Sequence, residues 1–322
     1  QLATRGSSEH AERVLALRLQ RASAFGTYGD DFGRAAELSE AFGGKVAVSG
    51  ASARHLFPLV LTDPEAPELA RAAALIAVGR SEEAEDDLRT LTETFPGARV
   101  PRLLLSAALA ARGDHVGADA ELVEALSRYR GVSPFVVAEI YFRRGVLWAE
   151  RAGRPDLGER MYRQGLEHLP GHVSMGVHLA ELEFERGETE AALARLDRRL
   201  AAGTQDPEPW SKRAEWHPDP GQRAEAAVRA DAGYRALVAA HPEAFWDHAS
   251  EFYSGPGDRA ETALDFALRN LAARPTDRAL LLVLEAADAA GRPDAACRVA
   301  RTTSTPRTDA PLLETIRNLG CS

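Results

Sequence analysis

The residue types best able to do chemistry lie in two histidine-containing stretches of this 322-residue sequence. The first, EHLPGHVSMGVHLAE, places His168, His172 and His178 near the carboxylates of Glu167 and Glu181. Imidazole and carboxylate groups are ligands of zinc and copper ions. However, His168 and His172 flank a Pro-Gly turn, and His178 follows almost two helical turns later, so the spacing does not make the three rings converge. We therefore expect solvated turn histidines and no bound metal.

The second stretch combines tryptophan and histidine between residues 210 and 250. Its aromatic and imidazole residues are Trp210, Trp216, His217, Trp246 and His248. One interpretation is a pocket for a small molecule or a metal ion built from these rings. The other is that the tryptophans fill gaps where a regular helical pattern breaks, since prolines at 207, 209, 218 and 220 limit any helix there to about ten residues.

No catalytic motif of useful specificity is present. Gly43, Gly44 and Lys45 resemble the end of a phosphate-binding loop, but the earlier glycine is missing and Val46 occupies the serine or threonine position. The sequence also lacks a His-Glu-x-x-His pair, a nucleophile elbow, paired cysteines and a glycine-rich dinucleotide turn. We therefore expect a non-enzymatic protein with no catalytic residues and no cofactor.

The charge balance argues against nucleic acid as a partner. The formal net charge is −9, and basic residues are scattered through acidic helices, so no positive patch is predicted for a phosphate backbone. No uncharged apolar run approaches the roughly 18 to 20 residues that span a bilayer. The acidic run Glu82 to Asp87 falls at the start of a predicted helix, where it stabilises the helix dipole; recognition of a basic partner is the alternative.

Three features bear on where the protein is found. Arginine outnumbers lysine 37 to 2, which is typical of a GC-rich, bacterial genome. The sequence starts at Gln1 and has methionine only at 161 and 175, so we expect that the natural N-terminus was removed. Cys297 and Cys321 either form a disulfide or remain one buried and one terminal thiol. These features favour a bacterial periplasm or cell envelope over the cytoplasm.

A repeated turn reveals the elements that position all these residues. Gly79, Gly113, Gly153 and Gly187 each begin a turn, and two of the three intervals are 34 residues long. Five residues after each glycine stands a small residue, and nine residues after it stands a large apolar or aromatic one. The small residues are Ala84, Ala118, Gly158 and Ala192, and the large ones are Leu88, Leu122, Tyr162 and Leu196. Ala72, Ser106 and Ala180 stand seven residues before three of the glycines.

Such a pattern predicts pairs of antiparallel helices. Small side chains let two helix backbones approach closely, while large apolar side chains fill the space beside the crossing. Glycine supplies a turn conformation that residues with a Cβ adopt poorly. Because one helix hairpin cannot bury its own apolar face, neighbouring hairpins must stack.

These positions resemble those of the tetratricopeptide repeat family, best between residues 64 and 204. In the third repeat, Tyr141, Gly145 and Trp148 match the aromatic, small and aromatic positions of the first helix. The same repeat departs from the family pattern in one respect, because GVLWAERAG has one residue more between its glycines. The resemblance implies an all-α, right-handed α-solenoid of about seven hairpins with degenerate ends. Its parts are an N-terminal helical cap region (1–63), four repeats (64–204), and degenerate repeats with a C-terminal capping helix (205–322). Residues 45–49 are predicted to be a loop or a short extended stretch.

The resemblance also implies a mode of action. In this family the first helix of each pair lines a concave groove that receives a peptide or a partner helix. The corresponding residues here are Leu69, Ile76, Leu103, Glu139, Phe142, Glu150, His178, Glu181 and Glu185. This groove is apolar at one end and acidic at the other, which suits a protein or peptide with basic residues beside a hydrophobic anchor. The alternative is that the chain is the non-catalytic portion of a larger enzyme or signalling protein.

Overall fold

Helices and short turns alternate along the whole described chain. The computed structural model describes residues 8–321, and in this range it contains nineteen α-helices, one π-helical turn and no β-strand. Residues 1–7 of the predicted cap region and Ser322 lie outside the described residues. The helices are α1 (Ser8–Phe25), α2 (Tyr28–Phe42), α3 (Gly44–Ala53), α4 (Phe57–Thr62), α5 (Glu68–Ala77), α6 (Glu82–Thr94), α7 (Arg99–Ala111), α8 (His115–Ser127), α9 (Pro134–Val146), α10 (Pro155–His168), α11 (Val173–Glu185), α12 (Thr189–Ala201), α13 (Glu208–Trp216), α14 (Pro220–Ala240), α15 (Pro242–Ser254), α16 (Ala260–Ala273), α17 (Asp277–Ala289), α18 (Pro293–Thr302) and α19 (Ala310–Asn318).

Seven consecutive hairpins, from α5/α6 to α17/α18, form the body of the molecule. Helices α1 to α4 precede them, and α19 follows them. Each helix packs mainly on its neighbours in the chain, which is the arrangement of a solenoid. The predicted all-α solenoid is therefore confirmed.

The turns within the hairpins have the backbone conformation that glycine favours. Gly79 has φ 76° and Gly113 has φ 87°, both in the left-handed region. Gly79 also lies against a distant part of the chain, because a Cβ there would be 2.4 Å from the carbonyl oxygen of Pro275. Conformation and contact both require glycine at this position.

The small residues predicted at the helix crossings are buried there. Ala118 and Ala192 are inaccessible to solvent, and Ala84 is 2% exposed. The large residues nine positions after the turn glycines are buried as well; they are Leu88, Leu122, Tyr162 and Leu196. Burying one such side chain contributes roughly 1.5–3 kcal/mol to stability. The predicted packing of the repeats is confirmed.

The third hairpin accommodates its extra residue in a π-helical turn. Helix α9 continues into this turn at Leu147–Arg151, and the N–H of Ala152 donates to the carbonyl oxygen of Leu147 at 3.0 Å. A π-helical turn holds one residue more than an α-helical turn. It therefore absorbs the additional residue between Gly145 and Gly153 while Gly145 stays at the crossing with α10.

The prediction of a loop or extended stretch at residues 45–49 was wrong, because these residues belong to α3. Gly43 and Gly44, with φ 60° and 50°, break the chain between α2 and α3. Val48 and Ala51 are then buried in a cluster with Phe57 of α4. This tertiary packing outweighs the preference of valine for strands.

The C-terminal part of the chain touches the N-terminal part. Nη1 of Arg274, just after α16, lies 2.9 Å from Nδ1 of His55, which precedes α4. The hydroxyl of Thr308, which precedes α19, donates to the carbonyl oxygen of Ala111 in α7 at 3.1 Å. The array of hairpins therefore bends until its two ends meet.

A disulfide joins Cys297 of α18 to Cys321 after α19, so the bonded alternative is the one found. The two cysteines are 24 residues apart. In the chain-entropy account a cross-link over a loop of this length stabilises by about 3 kcal/mol. No helix among residues 8–321 combines the length and the apolar character that crossing a membrane requires.

Candidate partner-binding surface

The apolar end of the predicted groove belongs largely to the core. Leu69 and Ile76 of α5 are half-buried and pack against the cluster that contains Leu103 of α7. Leu103 itself is only 9% exposed. These three residues fill the space between hairpins and leave little apolar surface for a partner.

The chain's own helix α1 covers the next part of the groove. Ala24 is buried in a cluster against which Phe135 and Phe142 of α9 pack. The ring of Phe25 meets that of Phe135 edge to face, with 5.7 Å between centroids. A cavity of about 260 Å³ remains between α1 and the helices beneath it, and Glu139 lines it. Glu139 and Phe142 therefore lie beside α1.

The acidic end of the groove contains a hydrogen-bonded charge network. Nδ1 of His178 in α11 lies 3.0 Å from a carboxylate oxygen of Glu150 and 3.2 Å from one of Glu181. The other oxygen of Glu181 accepts from the ammonium group of Lys212 in α13 at 2.6 Å. The hydroxyl of Tyr162 donates to Glu150 at 3.1 Å. The structure thus brings three of the predicted groove residues together.

Opposite charges outweigh burial in this network. Burial disfavours the imidazolium of His178, but Glu150 and Glu181 raise its pKa well above 6.5. Burial likewise disfavours the carboxylate of Glu181, but Lys212 and His178 lower its pKa. His178 is therefore positively charged near neutral pH and holds two carboxylates in place.

Beyond Lys212 the interior opens into a cavity of about 380 Å³, which we call the acidic cleft. It lies between α13, α15 and α17, the first helices of three successive hairpins. Its charged lining residues are Glu208, Lys212, Glu215, Glu251, Glu285 and Asp288. Tyr234, Leu282 and Ala289 add apolar surface to the same lining.

Four carboxylates of the acidic cleft make no ion pair with any residue in the range 8–321. They are Glu208, Glu215, Glu285 and Asp288, whereas Lys212 is engaged by Glu181 and Glu251 by Arg278. Burial raises the pKa of Glu285. Burial and then the charge of Glu208 raise the pKa of the neighbouring Asp206 to about 7. These four carboxylates therefore have no ion-pair partner among residues 8–321, although Lys212 and Arg278 act on Glu285 from a distance.

Glu185, the last of the predicted groove residues, is exposed at the end of α11 and also makes no ion pair among the described residues. Burial and the nearby charge of Glu181 raise its pKa. Its charge adds to that of the adjacent network.

The tryptophans between residues 210 and 250 pack in separate places. The ring of Trp216 is 7% exposed and stacks on Phe184 at 4.6 Å. Trp210 packs against a different cluster and lies under the guanidinium group of Arg229 at 4.9 Å. Trp246 of α15 is half-buried.

The histidines of the same region make local hydrogen bonds. Nδ1 of His217 accepts from the backbone N–H of Asp219 at 3.1 Å. Nδ1 of His248 lies 2.9 Å from the carboxylate of Asp247. Among the described residues no group of three or more His, Cys, Asp or Glu side chains is arranged to hold a metal ion.

His172 is not the solvated turn histidine that its sequence position predicted. It is 2% exposed, and its Nδ1 accepts from the N–H of Met175 at 3.3 Å, so that it caps the start of α11. Burial lowers its pKa to about 4. His168 does lie exposed, stacked on Tyr141 at 5.8 Å. Capping was missed because histidine is not a usual cap residue.

The four unpaired carboxylates of the acidic cleft were not among the predicted groove residues. They lie where the repeat pattern is weak, on α13 and α17. The available signal was spacing: Glu208 and Glu215 are seven residues apart, and Glu285 and Asp288 are three apart, so each pair shares one helix face.

Comparison with known proteins finds similarity to helical repeat proteins. Residues 149–215 match the family model described as tetratricopeptide repeat. A structure of pilF from Pseudomonas aeruginosa is 13% identical, with a TM-score of 0.41, over 73% of this chain and 93% of that chain. The Cut9–Hcn1 hetero-tetramer of the APC/C is 13% identical, with a TM-score of 0.46, over 95% of this chain and 55% of that chain. A tetratricopeptide repeat protein from Parabacteroides merdae is 13% identical, with a TM-score of 0.43, over 82% and 98%. A search of curated protein sequences found no match.

Proposed function

We propose that the chain, in which residues 149–215 match the tetratricopeptide repeat family model, is a non-enzymatic scaffold that binds a protein partner in its acidic cleft. Repeat solenoids of this kind present extended concave surfaces, and their function resides in the side chains on those surfaces. The proposal therefore depends on what the first helices offer to a partner.

The unpaired carboxylates of the acidic cleft carry this proposal. Glu208, Glu215, Glu285 and Asp288 crowd negative charge around one cavity, and none of the four has an ion-pair partner among residues 8–321. Like charges in a partly desolvated site repel one another, and a bound cation relieves that repulsion. Lysine or arginine side chains of a partner would supply it.

Apolar lining sets a second requirement on the partner. Tyr234 is 3% exposed and Leu282 2% exposed, so they form the floor of the acidic cleft rather than its rim. A partner that places a leucine-sized side chain on this floor would bring neighbouring basic residues to the surrounding carboxylates. The partner is therefore a protein segment with basic residues beside a hydrophobic anchor, bound in the C-terminal half of the solenoid.

The charge network beside the acidic cleft gives the site a fixed wall. Lys212 is held by Glu181, which in turn is held by His178. A side chain fixed in this way loses little conformational freedom when a partner binds. The ion pair of Lys212 is made with Glu181 and not with Glu208 or Glu215 on its own helix.

A peptide-binding measurement tests the proposal. The probe is a fluorescein-labelled peptide with the sequence Gly-Lys-Leu-Arg-Lys-Gly, and the reference peptide has glutamine in place of each basic residue. The double variant Glu215→Gln/Glu285→Gln should bind the probe about tenfold more weakly, because two charge contacts are lost. The control Glu93→Gln/Glu167→Gln removes the same charge from exposed positions on α6 and α10 and should bind within twofold of the parent.

Two results would contradict the proposal. One is equal affinity of the parent protein for the basic and the glutamine peptides. The other is an equal loss of affinity in the two double variants, which would show that the affinity depends on the net charge of the protein and not on the acidic cleft. Circular dichroism of both variants checks that the helices remain folded.

A further inference from the structure

A second charged cavity, unlike the acidic cleft, lies at the second hairpin, between the start of α7 and the end of α8. It has a volume of about 390 Å³. One wall is the segment from Pro96 to Arg102, which leads into α7, and the other is the end of α8 with the first residues of the following loop. Four arginines line it: Arg99, Arg102, Arg128 and Arg130. We call this cavity the arginine pocket.

No acidic residue is among those that line the arginine pocket. Arg102 is paired with Glu121 at 2.6 Å, and Arg128 is paired with Glu124, so these two charges are compensated from outside it. Within residues 8–321, Arg130 donates only to the carbonyl oxygens of Ser127 and Tyr129, at 2.5 and 3.1 Å.

Arg99 makes no side-chain hydrogen bond or ion pair within the described part of the chain. The carboxylate on α9 that faces the same region, Glu139, is already paired with Arg143 at 2.6 Å. Two guanidinium groups, those of Arg99 and Arg130, therefore have no ion-pair partner among residues 8–321 in a protein whose net charge is −9.

Exposed apolar side chains adjoin the arginine pocket. Val100, which lines it, is 42% exposed, and Phe95, which directly precedes the lining, is 57% exposed. Val132, two residues after Arg130, is fully exposed. Exposed apolar side chains beside a charged cavity are suited to contact with a partner protein.

We propose that the arginine pocket and its apolar margin form a docking surface for an acidic segment of a partner protein. Carboxylates of the segment would accept hydrogen bonds from Arg99 and Arg130, since a guanidinium group matches a carboxylate in a two-pronged geometry. An aromatic or aliphatic residue of the same segment would pack on Phe95 and Val100. This surface is separate from the acidic cleft, so the scaffold would hold two partners of opposite charge.

Fluorescence anisotropy with an acidic peptide tests this proposal. The probe is a fluorescein-labelled peptide with the sequence Gly-Glu-Glu-Phe-Glu-Glu-Gly, and the reference peptide has glutamine in place of each glutamate. The parent protein should bind the probe at least tenfold more tightly than the reference, with affinity that falls as sodium chloride increases. The variant Arg99→Gln/Arg130→Gln should bind the probe about tenfold more weakly.

A matched variant separates this site from net charge. Arg160→Gln/Arg269→Gln removes two exposed, ion-paired arginines from α10 and α16 and should change affinity less than twofold. Equal affinity for the two peptides, or equal losses in the two double variants, would overturn the proposal. So would displacement of the probe by inorganic phosphate at concentrations similar to those of unlabelled peptide, since the site would then bind only small anions. Thermal melts of both variants confirm that they are folded.

Discussion

Gly145 of α9 lies directly against the ring of Tyr162 of α10. A Cβ atom at residue 145 would be 2.1 Å from a carbon of that ring, closer than any real contact. Tyr162 is inaccessible to solvent and occupies the position that leucine holds in the other three aligned hairpins. The third hairpin therefore has a glycine directly opposite a buried tyrosine ring.

Replacing Gly145 with alanine should destabilise the protein. The added methyl group overpacks the crossing, and we expect a loss of about 1–3 kcal/mol, seen as a lower melting temperature. Gly33→Ala is a matched control, because Gly33 lies within α2 and a Cβ there would meet nothing within 4 Å. That variant should be neutral or stabilised by about 0.5–1 kcal/mol through helix propensity. The double variant Gly145→Ala/Tyr162→Leu should recover part of the loss. Equal melting temperatures for Gly145→Ala and Gly33→Ala would contradict the packing argument.

The repeat pattern could be predicted because it depends on local geometry. The left-handed backbone of the turn glycines and the small side chains of Ala84, Ala118 and Ala192 follow from the geometry of two neighbouring helices. The π-helical turn at Leu147–Arg151 was visible in the sequence only as one residue too many. An insertion can become a π-helical turn or a longer loop, and the packing contacts that must be kept decide between the two. Here the contact to be kept is that of Gly145 with the ring of Tyr162.

Contacts between distant hairpins could not be predicted in the same way. The position of α1 beside Phe135 and Glu139 depends on how far the array bends, which no short sequence pattern records. The unpaired state of Glu215 and Glu285 likewise depends on which cations reach them from other helices. The sequence therefore predicted an acidic groove, but not which of its carboxylates are unpaired.

The charge on His178 should make stability depend on pH. Its pKa in the folded protein is well above the unfolded value of about 6.5. The charged ring therefore stabilises the folded protein fully at pH values below about 6.5. The contribution is lost as pH rises through the folded pKa. The difference in melting temperature between the parent and His178→Gln should therefore shrink from pH 6 towards alkaline pH.

A second histidine variant tests whether this effect belongs to the network. His10 is exposed in α1, and His10→Gln should follow the parent across the same pH range. Differential scanning calorimetry in buffers of equal ionic strength gives the comparison. A difference for His178→Gln that stays constant or grows with pH would show that the ring is not held in its charged form by Glu150 and Glu181.

Asp277 at the start of α17 should hold the closed form of the solenoid together. Its carboxylate is 6% exposed and accepts from the backbone N–H groups of Arg307, Thr308 and Asp309, at 2.8, 2.6 and 3.1 Å. Thr308 then reaches Ala111 of α7, so the carboxylate fixes the segment that joins the two ends of the array. Asp277→Asn keeps the size but removes the charge, and it should cost about 2–3 kcal/mol.

The location of this loss distinguishes closure from general weakening. Hydrogen exchange should accelerate most in residues 303–309 and in the α7–α8 turn, because both lose the contact that closes the array. Asp294→Asn, on the exposed face of α18, removes the same charge and should leave exchange unchanged. If Asp277→Asn instead accelerates exchange evenly through all seven hairpins, the ends of the solenoid are not held together by this carboxylate. If α7–α8 stays protected while residues 303–309 open, the contact of Thr308 with Ala111 contributes little to closure.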